Sequence, residues 1–254
     1  MVDPITVLDA FFSGYLECDL SRVTPGRVWV IPSDRREMTE LHYSSPFALW
    51  LLTSGNRCVA SVQRNLEPVI TRVVNHLRPG EVRDITGQRR LLEAVAAGLR
   101  LPRGLSASSG PVFFCTRRSF RRRDIHPCRR VQPADITALS AAGLYDSSLD
   151  SSIAAGTCFV ALDGASPVSL AGTREVPHLA DKVADMFVPG TIAARRREGF
   201  GQTAVSAATA AVLDSGRIPL YTTSDHNPAS ILTAQAVGYS QYGWQFRVEL
   251  VSPD

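Results

Sequence analysis

Lysine is almost missing from this 254-residue chain, in which Lys182 is the lone lysine among 27 basic residues. Arginine spread over the whole length marks no single site, and a formal net charge of +3 is too small to imply a nucleic-acid partner. No apolar run approaches the ~18 residues that a membrane span needs. Stretches such as Phe47 to Leu52 are core-sized. The opening Met1-Val2-Asp3-Pro4 lacks the basic start and apolar stretch of a secretory signal, so a cytoplasmic protein is expected. Cys18, Cys58, Cys115, Cys128 and Cys158 are odd in number and scattered, with no Cys-x-x-Cys pair and no histidine at zinc spacing. Free, mostly buried thiols and no metal are the expectation.

What remains is an ordinary globular composition: 44% hydrophobic residues, 20% charged residues and a mean hydropathy of +0.00. The length exceeds the usual domain of roughly 100 to 200 residues, so two domains are expected. Pro102 to Gly110 is rich in proline, glycine and serine, and Thr116 to Arg130 is crowded with arginine. These place the boundary near residue 124, giving a smaller mixed α and β domain over 1–124 and a second domain over 125–254. The arginine cluster encloses a single aromatic, Phe120, and so makes no stacking platform for nucleotides.

Apolar periodicity predicts helices from Pro4 to Leu16 with Asp3 as cap, from Asn65 to Leu77, and from Gln88 to Leu99. Short β-branched runs at Val28 to Ile31, Cys58 to Val62 and Val112 to Cys115 predict strands. The second half has a clearer rhythm. Cys128 to Val131 reads as a strand, and Pro133-Ala134-Asp135 opens a helix. Thr157 to Leu162 and Val168 to Val176 form a hairpin through Asp163-Gly164. Val183 to Val188 is a strand, and an alanine-rich helix from about Gln202 to Asp214 closes at Gly216. Ile218 to Thr222 is a strand whose Pro219 forbids full pairing, and so lies at an edge or a splay. Asn227 caps a last helix that ends at Gly238, and a strand or hairpin from Tyr239 to Leu250 finishes the chain.

The chemistry concentrates in Arg195-Arg196-Arg197-Glu198-Gly199-Phe200-Gly201-Gln202-Thr203-Ala204. Two glycines allow close backbone approach, and the amides and dipole of the helix that follows favour an anion, as in a phosphate cradle. Gly199 to Ala204 also fits the dinucleotide pattern G-x-G-x-x-A. That reading fails on context, since four charged residues rather than a buried strand precede Gly199. Arg196-x-x-Gly199-x-Gly201 resembles instead the signature of the GNAT acyl-CoA N-acyltransferase superfamily. Gly216 to Tyr221 resembles the strand that follows the signature helix, and Asn227-Pro228-Ala229-Ser230 through Gly238-Tyr239 resembles that family's next helix. The resemblance covers residues from about 125 to 252.

It implies a mixed, mostly antiparallel sheet flanked by helices, with two strands splayed to admit the pantetheine arm of acetyl-CoA or another acyl-CoA as co-substrate. Position by position, the amides around Arg197, Glu198, Gly199, Phe200, Gly201, Gln202 and Thr203 would hold the CoA pyrophosphate, with Arg196 of the signature also a cofactor-binding residue. Phe187 and Val188 would line the arm from one strand, and Asn227 and Ser230 from the other side. The implied reaction is direct attack of a small-molecule primary amine on the thioester. Where many members carry a tyrosine to protonate the leaving thiolate, this chain has Ala234, with Tyr239 and Tyr242 as substitutes. Asp185 and Glu175 are the general-base candidates, and His178 and His226 could relay protons. A CoA-binding sensor or scaffold without turnover is the alternative. The first half carries no second signature loop, and both an acceptor-binding role and a degenerate copy of the same fold stay open for it.

Overall fold

A computed structural model describes residues 3–99 and 104–251. In chain order its elements begin with α1 (Pro4–Leu16), β1 (Val28–Pro32), β2 (Phe47–Ser54), β3 (Arg57–Val62), α2 (Glu67–Val74), α3 (Ile85–Leu99), β4 (Leu105–Phe114) and β5 (Cys128–Arg130). There follow α4 (Ile136–Ala141), α5 (Asp150–Ala154), β6 (Phe159–Asp163), β7 (Ser166–Arg174), β8 (Val183–Thr191), α6 (Phe200–Asp214), β9 (Ile218–Thr222), α7 (Pro228–Val237) and β10 (Ser240–Leu250). The chain divides into two compact units. The first takes the residues up to Val112, Ser224–His226 and the chain from Tyr242 onward; the second takes Phe113–Thr223 and Asn227–Gln241. The units therefore part at Val112 rather than near residue 124, and most of the last strand falls with the first. The segment read as a linker is strand from Leu105, with Ser106 to Ser108 exposed. Its composition describes side chains, whereas strand pairing is made by the backbone; Pro102 and Arg103 lie outside the described residues.

In the first unit the strand order is β1-β3-β2-β10-β4. β1 runs parallel to β3, and β10 runs antiparallel to β2 with Phe246 opposite Leu51. Every residue of β2 is buried, which explains an apolar run without alternation: both faces are covered. Leu49 and Leu51 join Ile70 of α2 and Leu91 and Val95 of α3 in one core, while the Trp50 ring lies 5.1 Å from that of Tyr15 on α1. The start of α1 is set by Asp3, whose carboxylate accepts from the amides of Ile5 and Thr6 ahead of Pro4. The expected helix from Asn65 to Leu77 is shorter at both ends, and α3 begins at Ile85, before Gln88.

In the second unit the end of β4 is followed by β9-β8-β7-β6-β5. β5 to β8 pair antiparallel and β8 with β9 parallel, which makes the sheet mixed and mostly antiparallel as expected. The β6–β7 hairpin turns at Gly164, with φ 59°. Ala204, Val205, Ala208 and Val212 of α6 pack on Ala171, Ala184 and Met186. The small side chains let this helix lie close to the sheet. Leu139 and Leu149 pack with Val160 and Leu170 in a separate core.

Candidate active site

β8 and β9 hold register for three pairs only, Val183 with Ile218, Ala184 with Pro219 and Asp185 with Leu220. Beyond them β8 continues to Thr191 and β9 to Thr222 without pairing each other, so the strands splay. Pro219 is interior to the strand order and contributes its carbonyl, which accepts from the Cys115 amide at 3.2 Å. On its other flank β8 carries a bulge, since Leu170 faces Gly190 while Gly172 faces Phe187. Pro189 sits inside that bulge, where its missing N–H breaks no ladder. The strand thus runs past its expected end at Val188. Phe187 and Val188 are half-buried neighbours that pack against different cores: Phe187 against the one that holds Leu139 and Leu149, and Val188 against the one that holds Ala204 and Ala234.

The loop after β8 makes one turn at Ala193–Arg195, extends at Arg196, and enters left-handed conformation at Arg197 with φ 66° and at Gly199 with φ 92°. α6 begins at Phe200 with no side-chain cap, so its first amides are left to solvent or a ligand. Gly201 sits where a side chain would be crowded. A Cβ there would stand 3.1 Å from Thr191 Oγ1, itself hydrogen-bonded to Ser169 at 2.8 Å. Arg196, Arg197 and Glu198 are exposed, and Gln202 is half-buried. The Arg196 Nε donates to the Thr191 carbonyl at 3.2 Å, and Arg195 pairs with Asp163. Thr203 is turned inward: its amide and hydroxyl both donate to the Gly199 carbonyl, at 3.0 and 3.3 Å. His126 and Ile125, which sequence reasoning missed, pack against this loop. Nothing local marks them, because they precede it by some 70 residues.

α7 starts where Asn227 Oδ1 accepts from the Ser230 amide at 3.1 Å. The Ser230 hydroxyl lies 2.8 Å from the hydroxyl of Tyr221 on β9, and Ala234, one turn further, is fully buried in the same core as Tyr221 and Tyr239. Tyr239 is buried and its hydroxyl lies 2.8 Å from Thr209 Oγ1. Thr209 spends its one proton on the Val205 carbonyl at 2.7 Å, so Tyr239 is the donor. Burial pushes its pKa well above 10. Tyr242 belongs to the first unit, where it donates to Asp9 at 2.6 Å, and burial together with that bond raises its pKa.

The base candidates differ as well. Asp185 accepts from Arg174 Nε at 2.6 Å through one oxygen, while its buried Oδ1 has no partner. Glu175 is exposed just beyond β7, His178 is half-buried, and His226 lies with the first unit. Among the described residues no cluster of His, Cys, Asp or Glu could hold a metal ion, and no helix is long and apolar enough to cross a membrane.

No family model matches the sequence, and no curated protein matches it. Among solved structures, an acetyltransferase of the GNAT family from Colwellia psychrerythraea is similar with a TM-score of 0.51 and 11% identity, over 98% of each chain. A GCN5-related N-acetyltransferase from Kribbella flavida matches with a TM-score of 0.45 and 17% identity, over 68% of this chain. The match spans 66% of the Kribbella protein, just under two thirds of its length. A tandem GNAT protein from the clavulanic acid biosynthesis pathway matches with a TM-score of 0.43 and 14% identity, over 64% of this chain and 59% of its own. Identities this low speak to architecture alone, and on that level the chain has a GNAT-like fold and resembles the GNAT superfamily over part of its length.

Proposed function

We propose that the protein is an acyl-CoA-dependent N-acyltransferase that moves an acetyl group from acetyl-CoA to a primary amine of a small molecule. The observation that carries this reading is the parting of β8 from β9 after Asp185 and Leu220, at one end of which stands the uncapped, glycine-rich start of α6. A splay of this kind fits an extended arm, and free helical amides fit the phosphates at its end. The amides of the loop from Arg197 to Gln202 would bind the pyrophosphate. Thr203 would serve by fixing the turn, since its own donors are spent within the helix. Phe187 and Val188 would flank the arm from β8, and Asn227, whose Oδ1 is occupied in capping, would offer its Nδ2. With all five cysteines free, a reducing compartment such as the cytoplasm fits.

The transfer itself forms an amide bond and breaks the C–S bond of the thioester. A backbone amide of β8 in the unpaired stretch would donate to the oxyanion. The attacking amine loses a proton, for which the unpartnered Oδ1 of Asp185 is the acceptor we favour over exposed Glu175. The thiolate gains one. We assign that proton to Tyr221, whose hydroxyl meets Ser230 on the face of α7 that also carries Ala234, rather than to Tyr239, which is engaged with Thr209. A thiol with an ordinary pKa of ~8.5 leaves without an obligatory acid, so turnover does not depend on this step alone.

The buried Ala234 in place of a catalytic tyrosine favours a second reading, a CoA-binding sensor or scaffold without turnover. Calorimetry with CoA, followed by thiol release from acetyl-CoA across a mixed amine panel, separates the two. Binding with turnover is the expected result, binding without it would select the sensor, and no binding at millimolar CoA would remove both. With an active amine in hand, Tyr221→Phe is expected to lower turnover by roughly 10² with little change in CoA affinity, and Tyr239→Phe to leave it near normal.

A further inference from the structure

We propose that His126 is a positioning residue of the phosphate loop: it holds the Glu198–Gly199 peptide so that the Gly199 amide faces the bound anion. The inference rests on the acyl-CoA reading and adds a residue from a remote part of the chain. His126 Nε2 lies 2.6 Å from the Glu198 carbonyl oxygen. A carbonyl only accepts, so the ring donates, which fixes the proton on Nε2. The same ring stacks on Phe200, the first residue of α6, with centroids 3.6 Å apart and planes 14° from parallel. Phe200 is 4% exposed and anchored in the core under α6, so the imidazole rests against a fixed wall. Its neighbour Ile125 closes the other approach, since a Cβ on Gly199 would come within 2.9 Å of the Ile125 Cδ1.

The consequence follows from the geometry of a trans peptide, in which C=O and N–H point to opposite sides. With the Glu198 oxygen turned toward His126, the Gly199 N–H is turned away from it. Gly199 precedes a helix that supplies no cap, and as a glycine it tolerates φ of either sign. Its peptide is therefore the unit in the loop most free to flip. A flipped peptide would aim a carbonyl oxygen where an anion should sit, replacing an attraction by a repulsion. His126 prevents the flip before the ligand arrives, leaving less ordering to be done on binding.

The test measures CoA affinity by calorimetry on the whole chain, together with the melting temperature of the unliganded protein. His126→Ala is expected to weaken CoA binding roughly tenfold to hundredfold, the span of one hydrogen bond to a charged group, while the unliganded melting temperature stays near that of the unaltered protein. His126→Gln, which retains an amide N–H donor at similar reach, is expected to recover most of the affinity. Unchanged CoA affinity in His126→Ala would overturn the inference alone. So would a loss of affinity that follows a lowered melting temperature and is not recovered by glutamine, because that pattern belongs to packing. If the unaltered protein binds no CoA, the acyl-CoA reading falls and this inference falls with it.

Discussion

In the first unit, Arg57 donates to both oxygens of Asp9 at 2.8 Å and Tyr242 donates to the same carboxylate at 2.6 Å. In the second, α6 opens at a glycine with no capping side chain, and Asp185 keeps one buried oxygen without a partner. Polar groups that satisfy one another stabilise a fold and have nothing left to offer a ligand. Groups left unsatisfied cost stability, on the order of 1–3 kcal/mol each when buried. A protein carries such groups most readily where a ligand completes them. Buried polar atoms without a partner occur in the first unit too, at Trp29 Nε1, Arg36 Nε and Gln245 Oε1 among others, so what distinguishes the second unit is the uncapped, glycine-rich start of α6.

The largest effect is expected for Gly201→Val. A Cβ at this position already stands 3.1 Å from Thr191 Oγ1, and the branched side chain adds bulk where the helix passes the end of β8. CoA affinity measured by calorimetry is expected to fall at least roughly 100-fold, because several charge-assisted hydrogen bonds to backbone amides are displaced together. A folded variant with normal affinity would show that the open amides are not the phosphate site.

A smaller effect is expected at the closed network. Asp9→Ala leaves the Arg57 guanidinium and the Tyr242 hydroxyl without their carboxylate, while each member of the ion pair is about a fifth exposed, with side-chain exposures of 20% and 21%. The expected cost is about 2 kcal/mol in denaturant unfolding, below the value for a fully buried pair. CoA affinity should be unchanged, and a parallel loss of affinity would mean that the two networks are coupled.

The smallest effect concerns an ion pair of the second unit that has no part in the site. Arg129 donates to both oxygens of Asp135, at 2.6 and 2.8 Å, and the Gln132 amide donates at 2.7 Å. Chiefly because of the Arg129 bond, the carboxyl is held at about 2 in the folded protein, below the ~3.9 of an unfolded aspartate. A depressed pKa stabilises the fold above the unfolded value, and the contribution fades as pH falls toward about 2. Asp135→Ala should accordingly lower the unfolding free energy slightly at pH 7, by about 1 kcal/mol or less for such a surface pair, with the difference closing between about pH 4 and pH 2. A difference that persisted unchanged to pH 2 would assign the effect to the cap geometry instead.

Legibility in the sequence follows the range of the interactions involved. Asp3 and Pro4 at the start of α1, Gly164 in the hairpin and the glycines beside α6 act within a few residues, and each is where local chemistry puts it. The strand at Phe47 to Ser54 carries no alternation to announce it, since being covered on both faces removes the period. Leu105 to Gly110 has the composition of a linker and the backbone of a strand. The site divides in the same way. The turn from Arg196 to Thr203 and the cap at Asn227 are readable as a string, because each is built by consecutive backbone groups.

The glycine turn before α6, the helix that follows it, the capped start of α7 and the lack of a tyrosine at position 234 were all legible in the string of residues. The surroundings of each tyrosine came from the packing of the folded chain. Tyr221, Tyr239 and Tyr242 are close in sequence, yet one meets Ser230, one donates to Thr209 and one leaves for Asp9 in the first unit. It also brought His126 onto a loop that begins some 70 residues later and paired Asp185 with Arg174 across adjacent strands. The physical reason is that backbone geometry is set by the residues that make it, whereas the partner of a side chain is set by what the folded chain packs against it.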